Sequence, residues 1–190
     1  MYRKGHLGIS LIVFSPILAL LFQNNLALTG LFGLIIILLT ANLPDIDIKP
    51  PFRYFLTHRG ETHTIWFAIL IGILSSITFS QIPSSFTNLT PVMQFVFGFV
   101  FGFIGILNHL IGDVITPTGI KPLWPIGPRY KIHITTAKGV WRFETLKNGS
   151  QQEMTYWETI RHGILNSNRI FLVIGALALV FSFSFYSGSF

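Results

Sequence analysis

The 190-residue chain is 51% hydrophobic and only 11% charged, with a mean hydropathy of +0.61; soluble domains carry roughly 25% charged residues, so an ordinary soluble globule is excluded and a polytopic membrane protein is predicted. Cysteine is absent, which excludes a disulfide framework, a thiolate metal site and a thiol nucleophile and leaves His and carboxylates as the available ligands. The net charge of +6 would suit nucleic acid or anionic lipid by number alone, but its placement along the chain reports membrane orientation, and no nucleic-acid partner is expected.

Residues 1–6, MYRKGH, are basic and polar, and 7–22 are apolar. That order is similar to a signal peptide, yet no small-residue cleavage site precedes Gln23-Asn24-Asn25, so a retained first span is expected over 7–22. A tight turn leads to a second span over 26–43, which ends at Pro44 and Asp45-Ile46-Asp47. The Pro50-Pro51 pair and the polar content of 48–62 stop a helix, and Thr62 is placed to cap a third span over 63–82. Residues 83–91 form an uncharged turn, and a fourth span follows over 92–115, where Gly98, Gly102 and Gly105 permit close helix approach.

Residues 117–168 are the long polar region. Within it 130–136 and 140–145 alternate in the manner of strands around Ala137-Lys138-Gly139, which predicts a small hairpin, and 153–165 reads as an amphipathic interfacial helix. A fifth span is expected over 169–186. With no internal repeat and no separate soluble domain in view, the chain reads as one membrane-embedded all-α domain, 1–190, of about five transmembrane helices with a hairpin-containing insert at 117–168. Trp124, Trp141 and Trp157 fit an interfacial aromatic belt, so the insert is expected over the site as a lid, with Arg129 and Lys131 toward a substrate phosphate.

Threading five spans puts the N-terminus, 44–62 and 117–168 on one side, together with all thirteen Lys and Arg. Positive charge marks the cytoplasmic face, so the N-terminus is expected inside and the C-terminus outside an inner (cytoplasmic) membrane. A four-span alternative, in which the last run is interfacial, keeps every site residue on the same face.

The same threading gathers His6, Asp45, Asp47, His58, His63, His109 and Asp113 at four helix ends on one face, and these three aspartates are the only ones in the chain. His109 and Asp113 lie four residues apart, so on a helix both side chains project from one face and can bind one ion. A helix-capping Asp113 with a hydrogen-bonded His109 is the plain alternative; His6 alone would suit an interfacial anchor, and 58–63 a polar turn about Gly60. An extended Asp-Ile-Asp would aim Asp45 and Asp47 the same way, toward adjacent ions. Arg59 suits bidentate binding of a substrate phosphate or offsetting headgroup charge. Asp47 or Glu61 is the candidate general base. His133 and His162 fall outside the pattern. Oxygen and imidazole donors suit zinc, manganese or iron(II), and a water activated by such an ion makes hydrolysis the natural chemistry. No nucleophile elbow, Walker loop or dinucleotide fingerprint competes with it.

His6, LPDID at 43–47, HRGETH at 58–63, HLIGDVITPTG at 109–119 and PLWPIG at 122–127 together resemble the YdjM-like family of membrane-bound, metal-dependent hydrolases. More distantly, HLIGDVITP is similar to a segment of the zinc-dependent phospholipases C and single-strand-specific zinc nucleases, which implies ligand roles for His6, Asp45, His109 and Asp113 with His58 or His63 as a further ligand. The chain lacks the later His and His-x-x-x-Asp/Glu ligands of those enzymes and their N-terminal Trp, so the similarity implies one or two divalent ions, zinc foremost, rather than three. The reading is a membrane-bound hydrolase acting on an ester, most simply a phosphoester in a lipid or lipid-linked substrate. Its rival is a transporter or assembly factor with a structural metal, and a transporter should carry polar groups near the midplane at broken helices.

Overall fold

The computed structural model describes the backbone of residues 3–114, 119–135, 140–146 and 157–186, and side chains within 4–114, 119–129 and 169–184. Among the described residues there are six α-helices: α1 (Arg3–Gln23), α2 (Ala27–Thr40), α3 (Ile65–Ser80), the short α4 (Ser84–Thr87), α5 (Pro91–Val114) and α6 (Trp157–Tyr186). Two strands, β1 (Arg129–Thr135) and β2 (Val140–Leu146), pair antiparallel from Arg129 opposite Leu146 to Thr135 opposite Val140. The all-α membrane bundle with a hairpin insert is as the sequence leads one to expect.

Glycines set the helix contacts. A Cβ on Gly98 would come within 2.8 Å of the Ser75 carbonyl and Ser76 Cα, so α5 lies directly on α3. One on Gly105 would overlap the Thr40 side chain of α2, and one on Gly8 the Phe171 backbone of α6. Lipid tails give no hydrophobic drive for helices to associate, so this close packing supplies the attraction instead. Inside, Phe101 meets Phe14 edge-on at 5.6 Å and Phe79 at 5.8 Å, with Leu18 and Ile37 filling the same fully buried layer. Outside, Leu39, Leu70, Ile73, Leu177 and Val180 are exposed and form an apolar girdle suited to acyl chains.

Pro16 sits inside α1, where it removes a backbone donor. Hydroxyls supply polar partners beside it: Ser15 donates to the Leu11 carbonyl (2.6 Å) and Ser182 of α6 to the Ser15 carbonyl (2.7 Å). Serines commonly support proline in membrane helices this way.

Several expected boundaries move. By length and composition three stretches among the described residues suffice to cross a membrane, Lys4–Gln23, Ala27–Ile48 and Pro91–Val114, while α3, Ile65–Ser80, is shorter than the roughly 20 residues usually needed and Arg169–Ser184 is the described apolar part of the longer α6. Those two join the bundle through packing, α3 against α5 and α6 against α1. The part of the expected interfacial helix from 157 to 165 and the span at 169–186 form one 30-residue helix, because no proline interrupts 157–186 and Asn166-Ser167-Asn168 is only a weak breaker. The cap of α3 is Thr64, whose hydroxyl accepts from Phe67 N–H (3.1 Å), rather than Thr62; Glu61–His63 wind a 3-10 turn first and move the start onward. The Asp-Ile-Asp segment is also a 3-10 turn, Pro44–Ile48, instead of an extended strand. The turn at 137–139, the side chains of Lys131, His133, Trp141, Trp157 and His162, and hence the lid expectation, lie outside the described residues.

Candidate metal centre

Four helix ends converge on one point. The first turn of α1 brings His6; the 3-10 turn after α2 brings Asp45 and Asp47; the loop before α3 brings His58, Arg59 and His63; the last turns of α5 bring His109 and Asp113. His6, His63 and His109 are fully buried and Asp113 nearly so, whereas Asp45 keeps 23% of its side chain exposed.

The inner set is His63, His109, Asp45 and Asp113. Its two imidazole Nε2 atoms are 3.2 Å apart. Asp113 Oδ2 lies 3.2 Å from His63 Nε2 and 3.6 Å from His109 Nε2, and Asp45 Oδ1 lies 3.8 and 3.5 Å from the same two atoms. A tetrahedral ion with bonds of about 2.0–2.1 Å holds its donor atoms about 3.3 Å from one another, so these separations suit a single coordination sphere.

The far side of each ring fixes where one of its hydrogens sits. His109 Nδ1 is 2.8 Å from the Ala41 carbonyl, and a carbonyl only accepts, so Nδ1 carries a hydrogen and Nε2 is the nitrogen left facing the carboxylates. His63 Nδ1 faces Asp47 Oδ2 at 3.2 Å, a carboxylate that likewise only accepts. The carboxylate–imidazole pair and the backbone-held ring are the outer-sphere arrangements typical of metal-binding histidines. Two imidazole Nε2 atoms and two carboxylates thereby meet at one place, where a divalent cation would balance the two negative charges. The residues present fit a divalent metal.

His63 lies ahead of α3, outside the apolar helices. Burial disfavours its charged form, but hydrogen bonding to Asp113 and Asp47 outweighs burial and lifts its pKa above the ordinary 6.5. In the metal-free protein a proton therefore competes for the position a cation would take.

His6 stands beside this set. Its ring stacks on His109 with centroids 3.8 Å apart and planes within 11°, and its Nε2 lies 3.4 Å from Asp113 Oδ1. His6, His109 and Asp113 do offer three donor atoms within 4.8 Å, as Asp45, His63 and His109 do. However, an imidazole lone pair lies in its ring plane, and a point between two parallel stacked planes is far out of both. His6 and His109 therefore cannot both hold one ion well; His6 is set against the opposite oxygen of Asp113. The His63 and His109 rings, tilted by 67°, have no such conflict.

The remaining expected site residues take other places. Asp47 is buried and its oxygens are already engaged: Oδ1 with His58 Nδ1 (3.1 Å), Oδ2 with Arg59 N–H (3.0 Å), Thr62 hydroxyl (3.1 Å) and His63. The 3-10 turn points it into the 58–63 loop while Asp45 points to the imidazoles, so the expected shared aim of the two carboxylates is corrected. A saturated, buried carboxylate is also poorly placed as a general base. His58 holds Asp47 from a half-exposed position outside both donor groups. Glu61 braces the loop, its Oε2 accepting from Thr57 N–H (2.9 Å). Arg59, at φ 60°, sends its guanidinium to the Gly119 carbonyl (3.2 Å) and toward Asp113 Oδ1 (3.8 Å).

Two contributors escaped the sequence reading. Thr62 links Asp47 to His63, a role that its place beside His63 in HRGETH could have signalled. The Ala41 carbonyl orients His109, and a backbone oxygen leaves no trace in a sequence.

The chain is similar to the inner membrane protein YdjM of Escherichia coli (strain K12), 28% identical over 109 residues that make up 51% of each chain, and to the protein of the same name from Shigella flexneri with the same figures. It spans about half the length of these curated relatives within the match. No solved structure matches it. These matches carry no support for the more distant similarity to zinc phospholipases and nucleases. Over residues 1–189 the chain matches the family described as YdjM inner membrane protein, and it belongs to that family.

Proposed function

We propose that the chain is a metal-dependent hydrolase of the inner membrane that cleaves an ester, most simply a phosphoester in a lipid or lipid-linked molecule. The observation that carries this reading is the inner donor set: two imidazoles whose Nε2 atoms lie 3.2 Å apart, each 3.2–3.8 Å from an oxygen of Asp45 and of Asp113, all at one end of an apolar bundle. A divalent ion held there, zinc foremost and manganese or iron(II) next, would supply a bound water of lowered pKa and polarise a phosphoryl oxygen. His63, His109 and Asp113 form the closed wall of the site. Asp45, being partly exposed, is the donor on the side from which substrate and water enter. Arg59 lies beside Asp113 with 17% of its side chain exposed, and its guanidinium is suited to a phosphate oxygen, at the expense of its long contact with Asp113.

A structural metal in a transporter is the rival. No Asp, Glu, Lys, Arg or His occurs in 7–44 or 64–108, so the bundle middle offers no ionisable relay, which favours the hydrolase. Threading the apolar runs puts all thirteen Lys and Arg on the side of the chain that carries the site residues, which supports a cytoplasm-facing centre.

The test is a panel of phosphoester and phospholipid substrates given to purified protein before and after chelation. Hydrolysis abolished by chelator, restored by zinc, manganese or iron(II), and missing in His109→Ala is expected. A metal-loaded wild type that cleaves none of them, and whose His109→Ala form loses metal and stability together, would establish the structural-metal reading instead.

A further inference from the structure

Two loops beside the centre carry large apolar side chains that are exposed on their outer surface. In the first, between Asp47 and His58, Ile48 is 52% exposed, Phe52 42%, Tyr54 68% and Phe55 82%. The second, 119–127, exposes Leu123 and Ile126, the latter by 78%. Neither loop is loose. The first is wound by hydrogen bonds from Arg53 N–H to Lys49 O, Tyr54 N–H to Pro51 O and Phe55 N–H to Phe52 O. The second is pinned to the start of α3 by Ile65 N–H to Pro122 O (2.8 Å) and to the site by Arg59 and the Gly119 carbonyl.

Each apolar tip is interleaved with cations: Lys49 and Arg53 in the first loop, Lys121 and Arg129 about the second. Neither loop contains a carboxylate between Asp47 and Glu61 or between 119 and 129. Arg53 lies over the Tyr54 ring at 4.8 Å and donates to its hydroxyl (2.8 Å), which holds charge and aromatic surface side by side. The lipid-facing girdle continues into this zone through Leu39 at the end of α2 and Trp66 at the start of α3. Apolar bodies with cationic or phenolic heads, next to the ends of membrane helices, have the amphipathic character of the bilayer interface.

From these features we infer that the 48–56 and 119–127 loops form an anchor that seats in the headgroup layer and binds anionic phospholipid. Phe52, Phe55, Leu123 and Ile126 enter the upper acyl region, while Lys49, Arg53 and Lys121 meet lipid phosphates, each cation adding attraction to an anionic leaflet. Because Asp45 and His58 flank the first loop, the anchor holds the open side of the centre at headgroup depth, where a lipid phosphate already lies. The inference deepens the hydrolase reading as to substrate but can be tested without it.

The natural absence of cysteine makes single-cysteine spin labelling direct. Phe55→Cys, Ile126→Cys and, as a girdle reference, Ile35→Cys are labelled with nitroxide and reconstituted into phosphatidylcholine vesicles with or without phosphatidylglycerol. The expected result is that labels at 55 and 126 relax more with oxygen than with an aqueous nickel chelate, at a depth shallower than 35. Phosphatidylglycerol should shift them deeper, and Lys49→Gln with Arg53→Gln should remove that shift at 55. Labels as accessible to the nickel chelate as a free nitroxide, or a depth unaffected by phosphatidylglycerol, would overturn the inference. Metal content should be unchanged in all of these variants, so failure of the anchor and failure of the metal centre are read separately.

Discussion

The two ends of the helix bundle solve the same problem differently. At the end formed by the 23–26 and 81–91 turns, buried polar groups satisfy one another: Thr29 donates to the Thr87 carbonyl (2.7 Å), and Gln94 donates to the Ile82 carbonyl (2.8 Å) and the Thr87 hydroxyl (2.7 Å). That end has no ionisable side chain among the described residues. At the other end, histidine ring nitrogens meet aspartate oxygens, and three buried atoms, Ser10 Oγ, Asn42 Oδ1 and Asn108 Nδ2, have no hydrogen-bond partner among the described residues. Buried polar groups are normally paired, because each one left unmade costs about 1–3 kcal/mol. The first end is closed by its own hydrogen bonds; the second gathers donor groups that could hold a metal ion.

Substitutions at the two ends should therefore fail in different ways. The largest effect is expected from His109→Ala, which removes an inner donor: metal affinity, measured by competition with a chelator, should fall by more than the roughly 10–100-fold typical of outer-sphere partners. Asp47→Asn should fall within that 10–100-fold range, since it loosens His63 and the 58–63 loop without removing an inner donor. If Asp47→Asn cost as much as His109→Ala, Asp47 would be a direct ligand. Gly105→Val should lower unfolding stability in detergent by about 1–3 kcal/mol through overpacking against Thr40 and the Ile37 carbonyl. At the closed end, Gln94→Leu should cost about 1–2 kcal/mol, because the Ile82 carbonyl and Thr87 lose their partner, and leave metal binding untouched. Altered metal content in Gln94→Leu would mean that the two ends are coupled.

The smallest effect concerns pH. His63 in the metal-free protein has a pKa raised above 6.5, so its contribution to stability is present in full below about pH 6.5 and is lost as pH rises through the higher folded value. Chelated protein should melt at lower temperature as pH rises over that range, while metal-loaded protein should hold its metal better. Parallel pH profiles for the two forms would show that His63 does not exchange its proton for metal.

How much of this was legible in the sequence depends on the kind of information involved. His109 and Asp113 could be placed on one helix face because a helix period is a local property. The convergence of His6, Asp45 and His63 on them followed from threading apolar runs through a bilayer, which leaves few topologies. The opposed aims of Asp45 and Asp47 were not legible, because the choice between an extended segment and a 3-10 turn depends on the 58–63 donors that engage Asp47. The stacking of His6 on His109, which separates their lone pairs, depends on the approach of α1 to α5 and has no sequence signal. Gly98, Gly102 and Gly105 announced close packing but not the partner helices.

The central claim is that Asp45, His63, His109 and Asp113 enclose one divalent cation. Elemental analysis of purified wild type and Asp113→Asn tests it most directly, since the amide keeps the size of the side chain and removes the charge that the cation needs. The account predicts at least one tightly bound divalent metal per wild-type chain and its loss from an Asp113→Asn protein that still inserts into membranes. Equal metal content in the two proteins would contradict it.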